Sequence, residues 1–82
     1  MKKYFVLYSV FDGYQTVDED GRVVCGKHYG SVIPEWDNGQ EMSVYYQFET
    51  SGVSLSEALD THRKLMFRQA HFRKQSKRRK RA

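Results

Sequence analysis

Cross-linking sulfur, proline and long apolar runs are almost missing from this chain of 82 residues. Its one cysteine, Cys25, excludes an intramolecular disulfide and suits a reducing compartment. No stretch approaches the ~20 apolar residues that cross a bilayer, so a membrane partner is not expected. Acidic side chains are absent from residues 62–82, where ten basic ones give a net +10. Residues 1–61 hold ten acidic and four basic side chains, net −6. The overall charge of +4 therefore conceals an acidic body with a strongly basic end, an asymmetry that points to a polyanionic partner.

Chemical motifs are scarce as well. There is no Gly-rich phosphate loop, nucleophile elbow or paired-carboxylate arrangement, so no catalytic residue is assigned. Cys25-x-x-His28 supplies two metal ligands and nothing in the sequence supplies the other two, so no metal or other cofactor is expected. Catalysis without a metal would fall to His28, His62 or His71 with Arg63 or Arg68, and no spacing brings two of them together.

What is present is β-pattern followed by helix. Residues 3–11 are rich in aromatic and β-branched side chains on both alternating sets, which fits a central strand. Two lysines before an apolar run also outline a signal peptide, but the tyrosines and the lack of a small-residue cleavage pattern favour the strand. Asp12-Gly13 and Asp20-Gly21 are both turn signals. Residues 14–17 alone make a very short strand, so the expectation is a bulge at Asp12-Gly13 and a hairpin at 18–21. A second strand is expected over 22–33, weakened by Gly26 and Gly30 and stopped by Pro34. A third, over 43–49, should bury Val44, Tyr46 and Phe48.

Ser54-Leu55-Ser56-Glu57 is a capping box, and Leu55, Ala58, Leu59, His62, Leu65, Met66 and Ala70 form one helical stripe after it. The stripe fails beyond residue 70. The expected fold is α+β: a three-stranded antiparallel β-meander, then one C-terminal helix packed on one sheet face, with a disordered basic tail. Residues 1–74 form the compact domain and 75–82 the flexible tail.

The helix macrodipole and the Asp60–Lys64 spacing account for basic residues up to Lys74. They do not account for Lys77, Arg78, Arg79, Lys80 and Arg81, which repel one another unless a polyanion neutralises them. The expected function is a small non-enzymatic module that contacts nucleic acid, or a ribonucleoprotein, through Arg68, Arg73, Lys74 and those five. The same run suits a nuclear-import signal, so the expected location is cytoplasmic, or nuclear in a eukaryotic host. Tyr4, Tyr8 and Tyr45, with Tyr29, are candidates to stack bases from the sheet face opposite the helix.

Trp36, in a loop, is either a lid on the core or an anchor for a protein partner, and the lid is expected. Glu35, Asp37 and Glu41 beside it, with Asp18, Glu19 and Asp20, are candidates for an acidic rim, although hairpin loops are often acidic for turn chemistry alone. Small size, split charge and absent motifs resemble accessory proteins of phages and mobile elements. That resemblance implies a second reading, an interaction or inhibitor module docking a host nucleic-acid-processing protein through the acidic loops and Trp36. A third reading is a small ribonuclease.

Overall fold

The computed structural model describes residues 2–40, 43–50 and 52–81, with 71–81 described by their backbone alone. Four strands precede one helix: β1 (Tyr4–Ser9), β2 (Gly13–Asp18), β3 (Val23–Cys25), β4 (Tyr46–Phe48) and α1 (Leu55–Arg81). The sheet is antiparallel in the order β3-β2-β1-β4. Three hairpin-connected strands with a fourth returning beside the first make a Greek key. The expected meander is thus corrected to four strands, with the last paired on β1 rather than beside its predecessor.

β1 takes the central place that its two apolar faces imply; Phe5, Val6 and Leu7 are all buried. Asp12-Gly13 ends a hairpin loop and is not a bulge. Tyr8 pairs with Tyr14 and Ser9 with Gly13, so the chain reverses within Val10, Phe11 and Asp12. The Ser9 hydroxyl accepts from the amides of Phe11 (3.2 Å) and Asp12 (3.3 Å), and Gly13 takes a φ of +84°. These are the parts of a three-residue hairpin loop closed by a residue in the left-handed region.

The 18–21 hairpin is found where expected. The Asp18 carboxylate accepts from the amides of Asp20 (2.9 Å) and Arg22 (3.0 Å), which satisfies a buried charge locally. The strand expected over 22–33 is reduced to Val23–Cys25. At Gly26 and Gly30 the backbone has φ of +125° and +79°, and it doubles back so that Ser31 accepts from the amide of Val23 and Arg22 bridges Val32. Residues 33–40 then cross the sheet.

That crossing segment covers the main core. Phe5, Leu7, Val17, Val23 and Ile33 cluster there, with Trp36, Tyr46 and Phe48 packed against them. Trp36 sits edge-on to Phe5 (centroids 5.2 Å) and to Phe48 (5.8 Å), and its indole N–H donates to the Glu19 carbonyl at 2.8 Å. It is a lid. A side chain at Gly21 would run into its ring, so Gly21 serves both the turn and the seat of the lid. Tyr46 and Phe48 lie inward as expected. Val44 does not: it precedes the short β4, sits in a turn and is 87% exposed.

The helix lies on the other face. Val6 and Thr16, opposite each other in the β1–β2 ladder, are fully buried there, and Thr16 Oγ1 lies 2.9 Å from His62 Nδ1 on α1. Ser54 begins the helix as its cap, accepting from the Glu57 amide at 3.3 Å. The buried side of α1 is Ala58 and His62, with Leu65 and Gln69 half-buried. It is turned away from the expected stripe, so Leu55, Leu59, Met66 and Ala70 stay exposed. On this sheet face Thr16 offers a hydrogen bond to His62, and Ala58 packs fully buried one turn before it. The backbone of α1 continues to Arg81, across the stretch where a flexible tail is expected; the side chains of that stretch lie outside the described residues.

Candidate nucleic-acid interface

Charge in this fold is sorted by position. Val53 bridges Tyr4, so α1 starts beside the end of the sheet where Tyr4 pairs with Asp18. It runs toward the Val10–Asp12 loop, which shares a groove with Met66 and Gln69. β1 spans ~20 Å and α1 ~40 Å, so roughly the second half of the helix extends past the sheet. The bond from Trp36 to Glu19 draws the 18–21 turn against the 34–37 segment at the opposite end. Glu19, Asp20 and Asp37 therefore gather at the Lys3 end of the sheet, away from the basic end of α1, whereas Glu35 lies near Tyr46, whose pKa is raised by burial and then by the charges of Glu35 and Asp12. Glu41 lies outside the described residues.

The first cations on α1 are partly engaged. Arg63 and Lys64 bind the two oxygens of Asp60 at 2.8 and 3.0 Å. The hydrogen bonds from Lys64 and then Arg63 hold the Asp60 carboxyl below the usual carboxylate range. Phe67 and Arg68 follow and share a shallow depression with them. Phe67 is 76% exposed. It stands opposite the Ala58–His62–Leu65 side, and the core makes no use of it. Sequence reading missed this residue, and the available signal was its place off the apolar stripe, flanked by three cations. Arg68 is exposed as expected; Arg73, Lys74, Lys77, Arg78, Arg79, Lys80 and Arg81 occupy the helix backbone, with side chains outside those described.

The aromatic candidates do not form one platform opposite the helix. Tyr8 alternates with Leu7 onto the helix side, where it meets Tyr14 edge to face at 5.0 Å. Tyr4 falls on that side too and is half-buried. Tyr45 is 48% exposed and leans on Phe11, with centroids 5.2 Å apart. Tyr8 and Tyr45 are thus brought to the hairpin tip, at the basic end. Tyr29 is exposed near β3, and Trp36 belongs to the core. The physical reason is that strand alternation puts Tyr4 and Tyr8 on the helix side, while the opposite face is covered by Ile33 and Trp36 of the crossing segment.

The histidines go to separate partners. His28 pairs with Asp12, which Lys27 also approaches at 3.4 Å. His62 is committed to Thr16, and burial pushes its pKa down, so it is neutral at pH 7. The side chain of His71 lies outside the described residues. Among the described residues, no three His, Cys, Asp or Glu side chains gather as a metal site. None of the described helix is long and apolar enough to cross a membrane.

Comparison with protein-family models, with curated proteins and with solved structures finds no match.

Proposed function

We propose that this protein is a non-enzymatic nucleic-acid-binding module that holds a phosphate backbone, bare or within a ribonucleoprotein, with the basic end of α1. The observation that carries this reading is the separation of charge along the molecule. The cations of α1 run past the hairpin tip, while Glu19, Asp20 and Asp37 sit at the other end of the sheet. A basic segment folded back over the acidic loops would be neutralised internally. One that runs away from them keeps its field for a polyanion, which it binds by releasing condensed counterions. Phe67, exposed among Arg63, Lys64 and Arg68, adds an apolar ring where an unpaired base can rest.

The gathering of acidic residues around the Trp36–Glu19 bond supports a second reading, docking on a basic protein surface. In that reading the acidic rim makes the contact, because Trp36 is spent on the core. A ribonuclease has only the Asp12–His28 pair in its favour, with Lys27 beside Asp12, and neither His62 nor an arginine is bonded to that pair among the described side chains.

Salt dependence tests the leading reading. If α1 neutralises about five phosphates, log affinity for duplex DNA falls with log salt at a slope near −4.5, and for single strands near −3.5. Deleting residues 75–82 should flatten both slopes and leave the thermal melt of the sheet in place. Nucleic-acid affinity that is unchanged by the deletion refutes the proposal. Loss of partner binding on neutralising Glu35 and Asp37, with the basic end intact, would support the second reading instead.

A further inference from the structure

Between the β1–β2 hairpin tip and α1 lies a groove of about 580 Å³. That volume falls within the ~300–1,000 Å³ of small-molecule sites. Its walls are Tyr8 and Tyr14, Phe11 from the loop and Met66 from the helix. Its lining is mixed, with polar groups from both sides. Lys27 stands at the rim, and His62 and Gln69 lie on the helix side. Asp12 also borders the groove, where Lys27 forms an ion pair with it and the His28 ring hydrogen-bonds to it.

These features suit a nucleobase. Ring faces and a thioether offer stacking surface, and the Gln69 amide both donates and accepts, as reading a base edge requires. His62 uses Nδ1 on Thr16, which leaves Nε2 free to bond a guest. Phe11 is 66% exposed at the mouth, braced by Tyr45. The helix wall of the groove then leads into the basic end. Positions 73, 77 and 80 follow Met66 at helical spacings of seven, eleven and fourteen, on the same side of α1, and all are basic. They continue that wall for ~21 Å.

We propose that the groove receives an unpaired base of a single-stranded nucleic acid, with flanking phosphates met by the basic positions of α1. The inference rests on the nucleic-acid reading above and adds a preference for single strands, since the bases of a duplex are stacked and cannot enter.

The test uses the full chain and two fluorescent probes, a single-stranded oligothymidylate and a duplex of equal length. Phe11→Ala removes an exposed loop ring and should weaken single-strand binding by about 5- to 150-fold, the factor for one lost stacked base. Duplex affinity and both salt slopes should hold. Met66→Trp, which fills the groove, should act in the same direction. Deleting 75–82 should weaken both probes and flatten both slopes. If both groove variants stay folded by circular dichroism and bind the single strand within about twofold of wild type, the groove is not a base site. The nucleic-acid reading then survives on the deletion result, and a protein segment becomes the occupant to seek. If the wild-type chain binds neither probe, the reading fails and the groove inference falls with it.

Discussion

Replacing Trp36 with alanine asks whether the 33–40 segment belongs to the core or merely rests on it. The indole is half-buried against Phe5 and Phe48. A fully buried Trp cut to Ala costs ~3–5 kcal/mol, so half of that is ~2 kcal/mol. The two edge-to-face pairs add ~0.5–1.5 kcal/mol each beyond their buried area. The Glu19 carbonyl loses its donor, for ~1 kcal/mol more. The sum is ~5 kcal/mol, a large share of the ~5–15 kcal/mol that holds an ordinary domain together. At ~4–8 °C per kcal/mol, the melting midpoint should drop by about 20–40 °C. Far-UV circular dichroism reads it without relying on the deleted fluorophore. Trp36→Phe keeps most of the ring contact and loses the N–H, so it should cost ~1–2 kcal/mol. A Trp36→Ala loss under ~1 kcal/mol would refute the lid and return Trp36 to the surface as a partner anchor.

Three further outcomes are expected. Gln15 is fully buried and its amide has no hydrogen-bond partner among the described residues, so Gln15→Leu should raise stability by ~1–3 kcal/mol; a lower urea midpoint would show that the amide is satisfied. Gly13→Ala should cost ~1–2 kcal/mol through its positive φ alone, because an added Cβ meets nothing within 4 Å; an unchanged melt would mean that the loop has another conformation. His62 is held below its ordinary pKa by burial, so the unfolded chain takes up its proton first on acidification. Stability should be flat above about pH 6.5 and fall below it, by at most ~1.4 kcal/mol per pH unit from this group. His62→Gln should remove that part of the fall in a set of urea titrations across pH.

Features set by neighbours in sequence were legible. Two apolar faces marked β1 as central, Asp18 to Gly21 declared their hairpin, and Ser54 announced the helix start. Features set by partners distant in sequence were not. Whether Asp12-Gly13 bends or reverses the chain turns on the Ser9 hydroxyl bridging two loop amides, which no residue pattern specifies. Strand alternation indicates which way Phe48 points, but not that β4 pairs with β1. The apolar stripe on α1 is wider than the side the sheet engages, which centres on Ala58 and on His62, bonded to Thr16. The same logic governs the candidate site. The cations of the last turns are visible as composition, whereas the groove exists only because the hairpin tip and the middle of α1 meet in space.

The placement of α1 away from the main core has an energetic consequence. Among the described residues, none from the helix belongs to the cluster of Phe5, Leu7, Val17, Val23 and Ile33. The helix is held by Ala58, by the His62–Thr16 bond and by a few half-buried neighbours. Such a molecule contains two units of unequal protection, and the weaker one opens without dissolving the stronger. Amide exchange should therefore be slow in β1 and β2 and much faster along α1. A ligand that bridges the groove and the basic end would slow exchange in the helix selectively, so that binding completes the stability of an element that folding alone leaves loosely attached.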